Sequence, residues 1–376
     1  LGDLLVEERT AELESALAKI EAFYQSMRQQ FPDQPPTTGM AVALAEVGRG
    51  YYNAGRLADA VRYLERSVGV EPNALALEQL GVIQLRRGEG AQAAATLERA
   101  RAVFQANTHV DAANKQLFGA RLGRLIAEAL ELTPDGKAKA REVRERSLRQ
   151  FANLLDSSAL NGGWAAEAEV ERGKLYYQQG EREQGLEAFR RAADISRGDG
   201  ESKAPGQVFI DVLAFLVPRG ELDEAVSMYH RALSVRLPEN MKVYCSMWVN
   251  DLLQRAGQVA DPLAQAFLDS VTGGKWHADL ARWVTGKSDE VALMKSADTT
   301  GKQAEAQFYV GLSKLRSGDR AAALARFRKV VESQMLGYFE YEMAREYLRL
   351  EGAPTSPQMP KKAAPRPRTA APPPGS

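Results

Sequence analysis

The side chains that most often carry chemistry are few in this chain: three histidines, His109, His230 and His277, and one cysteine, Cys245. None of the histidines has a second His, Cys or carboxylate at a ligand spacing such as HExxH, so no zinc-hydrolase motif is encoded. A serine nucleophile would call for a GxSxG elbow, and a nucleotide for a P-loop or a GxGxxG after a strand; the sequence has none of these. The paired acids Asp223-Glu224 and Asp289-Glu290 fall near predicted helix starts, where they complement the helix dipole. Gly162-Gly163 and Gly273-Gly274 fall between predicted helices and read as turns. Cys245 sits in the apolar run Val243-Tyr244-Cys245-Ser246-Met247-Trp248 and reads as a buried thiol, and a lone cysteine forms neither an intrachain disulfide nor a CxxC site. These residues imply no catalysis, no metal and no cofactor.

A second set suits recognition. Arg49, Tyr52 and Asn53, then Val82, Leu85 and Arg86, then Lys174, Tyr177 and Gln178 recur near the ends of predicted helices. Arginines and amides can hydrogen-bond a peptide backbone or its carboxylates, while tyrosines and aliphatics take side chains. This chemistry needs an array that turns one face of successive helices toward a common groove.

Such an array is written in the spacing. Gly48, Tyr51, Gly55, Ala60, Leu64 and Pro72 are followed by Gly81, Gly88, Ala93, Leu97 and Ala100, then by Gly173, Tyr176, Gly180, Phe189 and Ala192. Gly311, Gly318, Ala323 and Phe327 close the series. Gly48 to Gly81 is 33 residues, a period that marks stacked helix pairs. Small residues such as Gly48, Ala60 and Ser67 allow close approach, Tyr51 and Leu64 fill the space between, and Gly55 makes the turn. Gly220, Ala225, Tyr229 and Ala232 mark another second helix, and a divergent unit spans 241 to 271 with Gly257 at its turn.

On these residues the chain resembles the tetratricopeptide repeat family, whose pattern of Gly, Tyr, Gly, Ala, aromatic, Ala and Pro recurs over about 34 residues. Leu44, Val47, Gly48, Tyr51, Gly55, Ala60, Leu64 and Pro72 stand in those places, and Gln84 departs from the pattern where a tyrosine is expected. The resemblance implies a right-handed, all-α solenoid whose concave side binds peptides or helices of other proteins. The Lys/Asn arrangement of carboxylate clamps is missing, with Ala45 and Arg49 in its place, so a chaperone C-terminus is not the implied ligand.

The expected organisation is an amphipathic, coiled-coil-like helix over 1–30, two repeat units over 39–108, and an irregular helical pair over 109–160. Two further units follow over 161–236, divergent helical units over 237–300, and a last repeat with capping helix over 301–351. In the first helix Val6, Leu13, Leu17, Ile20, Tyr24 and Met27 follow heptad steps. Phe31 to Thr38 is a proline-rich break. The tail over 352–376, rich in Pro and Ala with Lys361, Lys362, Arg366 and Arg368, reads as disordered.

Composition narrows the partners. Lys plus Arg and Asp plus Glu both number 49 in 376 residues. Without a global field, neither nucleic acid nor an anionic membrane is an implied partner. No run reaches the roughly 18 apolar residues of a membrane span. Proteins are the expected partners, a homodimer among the open arrangements. The chain opens at Leu1 rather than Met, which leaves room for a signal peptide or an upstream domain.

A second resemblance covers about 240 to 350. Trp276, Leu280, Trp283, Gly286, Phe308-Tyr309-Val310-Gly311, Gly318-Asp319, Ala323, Phe327 and Tyr338-Phe339-Glu340-Tyr341 look like the end of NlpI-type bacterial lipoproteins, although no lipid-bearing cysteine opens the chain. That likeness implies an adaptor of the bacterial cell envelope, located in the periplasm with its signal outside this chain. The alternative is a regulatory or sensing region of a larger signalling protein or enzyme, in the cytoplasm.

Overall fold

The computed structural model describes residues 10–33, 37–198 and 205–355. Val6 and the start of the first predicted helix, the middle of the proline-rich break, and the tail cations Lys361, Lys362, Arg366 and Arg368 lie outside the described residues.

Eighteen helices and no strand are present among the described residues. A leading helix, α1 (Thr10–Gln30), is followed by hairpin pairs α2 (Thr37–Asn53) with α3 (Leu57–Val70), α4 (Ala74–Arg86) with α5 (Gly90–Ala106), and α6 (Ala112–Glu131) with α7 (Lys137–Asp156). Next come α8 (Gly162–Gln178) with α9 (Arg182–Gly198), α10 (Pro205–Leu216) with α11 (Leu222–Ala232), and α12 (Glu239–Arg255) with α13 (Pro262–Ser270). The short helices α14 (Trp276–Val284) and α15 (Glu290–Ser296) lead into α16 (Thr300–Arg316) with α17 (Arg320–Glu332), and α18 (Phe339–Leu350) ends the series. The chain is an all-α solenoid of stacked helix pairs.

One contact rule builds the regular pairs. In each, a glycine on the first helix faces a large side chain sixteen positions later on the second. A Cβ added at Gly48 would lie 2.7 Å from Leu64 Cγ, at Gly81 2.6 Å from Leu97 Cγ, at Gly173 2.4 Å from a Phe189 ring carbon, and at Gly311 2.7 Å from one of Phe327. No real Cβ fits there, so glycine lets the large residue pass beneath the partner helix. Gly180 makes its hairpin turn at φ 81°, a left-handed conformation that other residues resist. Starts are fixed by side chains: Asn73 caps α4, Asp111 caps α6, Asn161 caps α8, and Asp319 caps α17. The pair α6–α7 differs, with both helices 20 residues long and Gly123 facing Ser147.

The first helices of the pairs, α2, α4, α6, α8, α10 and α12, pack in succession and form an inner layer. Helix α1 lies on α2 through Leu13, Leu17 and Tyr24. Core residues of α1 to α4 belong to the same contiguous apolar cluster as those of α9 to α18, whereas the cores of α4–α7 and α6–α8 are separate clusters. The two ends of the array therefore meet. Met335 reaches Gly55 at the first hairpin turn, and Gly337 lies beside Tyr52 and Asn53.

Candidate binding groove

The inner face of the array carries charged groups on α4, α6, α8 and α10. On α6, Arg121 donates to both carboxylate oxygens of Glu78 on α4 at 3.0 and 3.1 Å and reaches Glu167 on α8 at 3.4 Å. One turn on, Arg124 donates to Glu171 of α8 at 2.5 Å, and Lys174 of α8 donates to the same carboxylate at 2.9 Å. Burial by itself would raise Glu171, but Arg124 and Lys174 outweigh it and hold its carboxyl well below the usual range. Glu78 goes the other way, raised by burial that Arg121 offsets only in part, and Glu167 behaves alike. On α10, burial raises Asp211, whose hydrogen-bond partner is the Gln207 amide at 2.9 Å. The i, i+3 and i+4 spacing of these groups on consecutive inner helices produces the ladder.

Of the residues singled out from sequence, some face this surface. Lys174 is part-buried on the ladder, and Gln178 is exposed. Tyr177 stacks on Phe189 with centroids 5.9 Å apart and meets Phe215 edge-on at 5.2 Å, so only part of its ring faces outward. Arg49 is exposed and ion-paired with Glu46 one turn earlier on α2. Val82 packs half-buried against the core of α4–α7.

Others are already occupied. Leu85 is 2% exposed and belongs to the core, so the expected peptide contact there is corrected: the longer α6 covers that side of α4. Tyr52 and Arg86 lie under α18 and the segment before it, with Asn53 exposed at their edge beside Gly337. Arg86 donates to Glu342 of α18 at 2.7 Å and to Glu128 of α6 at 2.9 Å, and is 7% exposed. Arg345 of α18 stands 3.6 Å from the same Glu128 and donates to Glu342 at 2.8 Å. Burial, then the Glu342 carboxylate, push the Tyr52 phenol far above its ordinary value. Repeat spacing reports which positions point inward but nothing of a helix more than 250 residues away (|i−j| = 256).

Beneath α18 lies a buried polar cluster that the sequence reading missed. Glu305 of α16 accepts from Tyr244 at 2.8 Å and from the Trp276 indole at 2.9 Å. Glu340 of α18 accepts from Tyr309 at 2.7 Å, and Tyr309 accepts from the Trp248 indole at 3.2 Å. Burial, and then Glu340, push Glu305 up to about 8. The aromatic run from Tyr338 to Tyr341, with Glu340 inside it, was the sequence signal.

The remaining reactive groups have structural surroundings. His230 hydrogen-bonds Asp261 at 2.7 Å on the outer surface, His277 lies 3.7 Å from Glu239, and His109 is exposed. Cys245 is fully buried, and burial pushes its thiol up to about 12. Among the described residues, no three of His, Cys, Asp and Glu gather as a metal site, and no helix is long and apolar enough to cross a membrane.

In comparisons with known proteins, no curated protein matches the sequence. Among solved structures, the apo form of RapI aligns with a TM-score of 0.41 and 12% identity over 79% of this chain and 98% of that one. Yeast Tom70 aligns with a TM-score of 0.23 and 13% identity over 93% and 82%. Residues 48–115, which run from the first close-approach glycine into α6, match the tetratricopeptide repeat family.

Proposed function

We propose that the chain is a non-catalytic scaffold that binds a segment of another protein along the inner face of its first helices. The observation that carries this reading is the ladder on α4, α6, α8 and α10. Its acidic and basic groups are interspersed across these helices and remain partly open to solvent. Such a face offers donors and acceptors along an extended or helical segment, which suits peptide recognition. Repeats of the kind matched at residues 48–115 generally mediate protein–protein interaction, in keeping with this role. An adaptor role in a bacterial envelope rests on the NlpI-like order of residues 240 to 350 and is the finer form of the proposal.

The test is capture from native lysate by the full chain, with partners identified by mass spectrometry. Lys174→Glu and Arg49→Glu are expected to reduce recovery of a specific partner while helicity by circular dichroism stays constant. Equal recovery by both variants would remove the groove assignment.

A further inference from the structure

We propose that the contact of α18 with α4 and α6, together with that of the segment before α18 with the end of α2, is a clasp. It closes the array on itself, and its opening uncovers the part of the groove to which Tyr52 and Arg86 belong. The clasp goes beyond the binding reading and stands whatever the groove holds.

Three observations carry it. First, the two faces of α18 differ in chemistry. One is fixed to the C-terminal pairs by rings: Tyr347 stacks on Phe327 at 4.9 Å, and Phe339 meets Trp248 at 6.0 Å. The other meets α4 and α6 through ions, with Glu342 on Arg86 and Arg345 beside Glu128. A parting of the ends therefore leaves α18 with the C-terminal half. Secondly, each ion across the seam keeps a partner on its own side. Arg86 retains Glu128 at 2.9 Å, and Glu342 retains Arg345 at 2.8 Å. Breaking a buried pair is expensive mainly because it leaves a lone charge, and that cost is avoided here. Thirdly, small residues make the close approach across the seam: Met335, before α18, meets Gly55, and Gly337 meets Tyr52 and Asn53.

Opening can be read directly by electron–electron distance measurement in the full chain. Spin labels would be placed at Ala58→Cys on α3 and Ala325→Cys on α17, both exposed positions. The native Cys245, fully buried, is left in place. The parent is expected to give one short distance population. Arg86→Glu sets like charge against Glu342 and Glu128 and is expected to shift the population to longer, broader distances. Adding Glu342→Arg to that background restores opposite charges across the seam and is expected to bring the short distance back. An identical distribution in all three, with helicity retained, overturns the clasp, as does a shift that the second substitution fails to reverse. If Arg86→Glu does not fold, Glu342→Gln, on a half-exposed side chain, replaces it. An unshifted distribution in that variant overturns the clasp equally.

Discussion

A carboxylic acid surrounded by rings keeps its proton well above the usual range, and Glu305 is in that position. Its carboxyl accepts from the Tyr244 hydroxyl and the Trp276 indole, yet burial and the neighbouring Glu340 still push it up to about 8. Glu340 is raised by the same burial. The consequence for stability has a definite sign. Between the ordinary carboxylate value of 4.5 and about 8, the folded chain holds a proton at Glu305 that the unfolded chain has lost. Stability therefore falls as pH rises through that window and levels off above it. Glu305→Gln keeps both hydrogen bonds in an uncharged group. It is expected to raise the melting temperature at pH 8 and to flatten the decline between pH 5 and 8, as followed by differential scanning calorimetry. A variant that melts lower than the parent at pH 8 would mean that the ionised carboxylate, not the acid, is the stable form there.

At the scale of the helix, the contact that defines a pair is a glycine facing a large residue sixteen positions on. Gly173 is the tightest regular case, since a Cβ there would lie 2.4 Å from the Phe189 ring, which is itself packed between Tyr177 and Phe215. The ring has nowhere to go. Gly173→Ala is expected to cost about 1–3 kcal/mol in urea unfolding, the usual penalty of overpacking. Gly180→Ala, at a turn with open space but φ 81°, is expected to cost about 1–2 kcal/mol for a different reason, the left-handed backbone. These contacts were legible in the sequence because each is local: Gly48 with Leu64, or Gly311 with Phe327, is closed by one hairpin. The candidate groove was legible only in part. Arg86 lies on the inner helix layer, but its partner Glu342 follows from how many pairs separate the ends and how sharply each turns on the next. No residue near Arg86 encodes that sum. Glu305 was missed for a related reason, since its burial is made by α12, α14 and α18 together.

At the scale of the molecule, contact between the ends changes how the array should lose structure. In an open solenoid each unit is held only by its neighbours, so the terminal pairs fray first and exchange their amides fastest. Here the end of α2 and α18 are neighbours in space: Tyr52 of α2 feels the Glu342 carboxylate of α18, and Met335, just before α18, sits on Gly55, just after α2. Amide hydrogens of the two helices are therefore expected to exchange with similar opening free energies, and no faster than those of the central pair α6–α7. The ion pairs add a pH dependence of the opposite sign to that of Glu305. Burial would raise Glu342, but Arg86 and Arg345 outweigh it and hold its carboxyl down at about 2; Glu128 is lowered too, against its burial, by Arg86 and Arg345. A lowered carboxylate stabilises the fold above its unfolded value and loses that contribution as pH falls through the folded one. Protection of α4 and α18, which these pairs join, should then decline together between about pH 4.5 and pH 2, while the glycine-packed contact of α16 with α17, Gly311 on Phe327, has no such cause to weaken. Hydrogen exchange read by mass spectrometry at pH 3 and pH 6, corrected for intrinsic rates, checks both points. Independent fraying of α2 at pH 6 would show that the ends of the array are not joined in solution, because ends that hold each other cannot open one at a time.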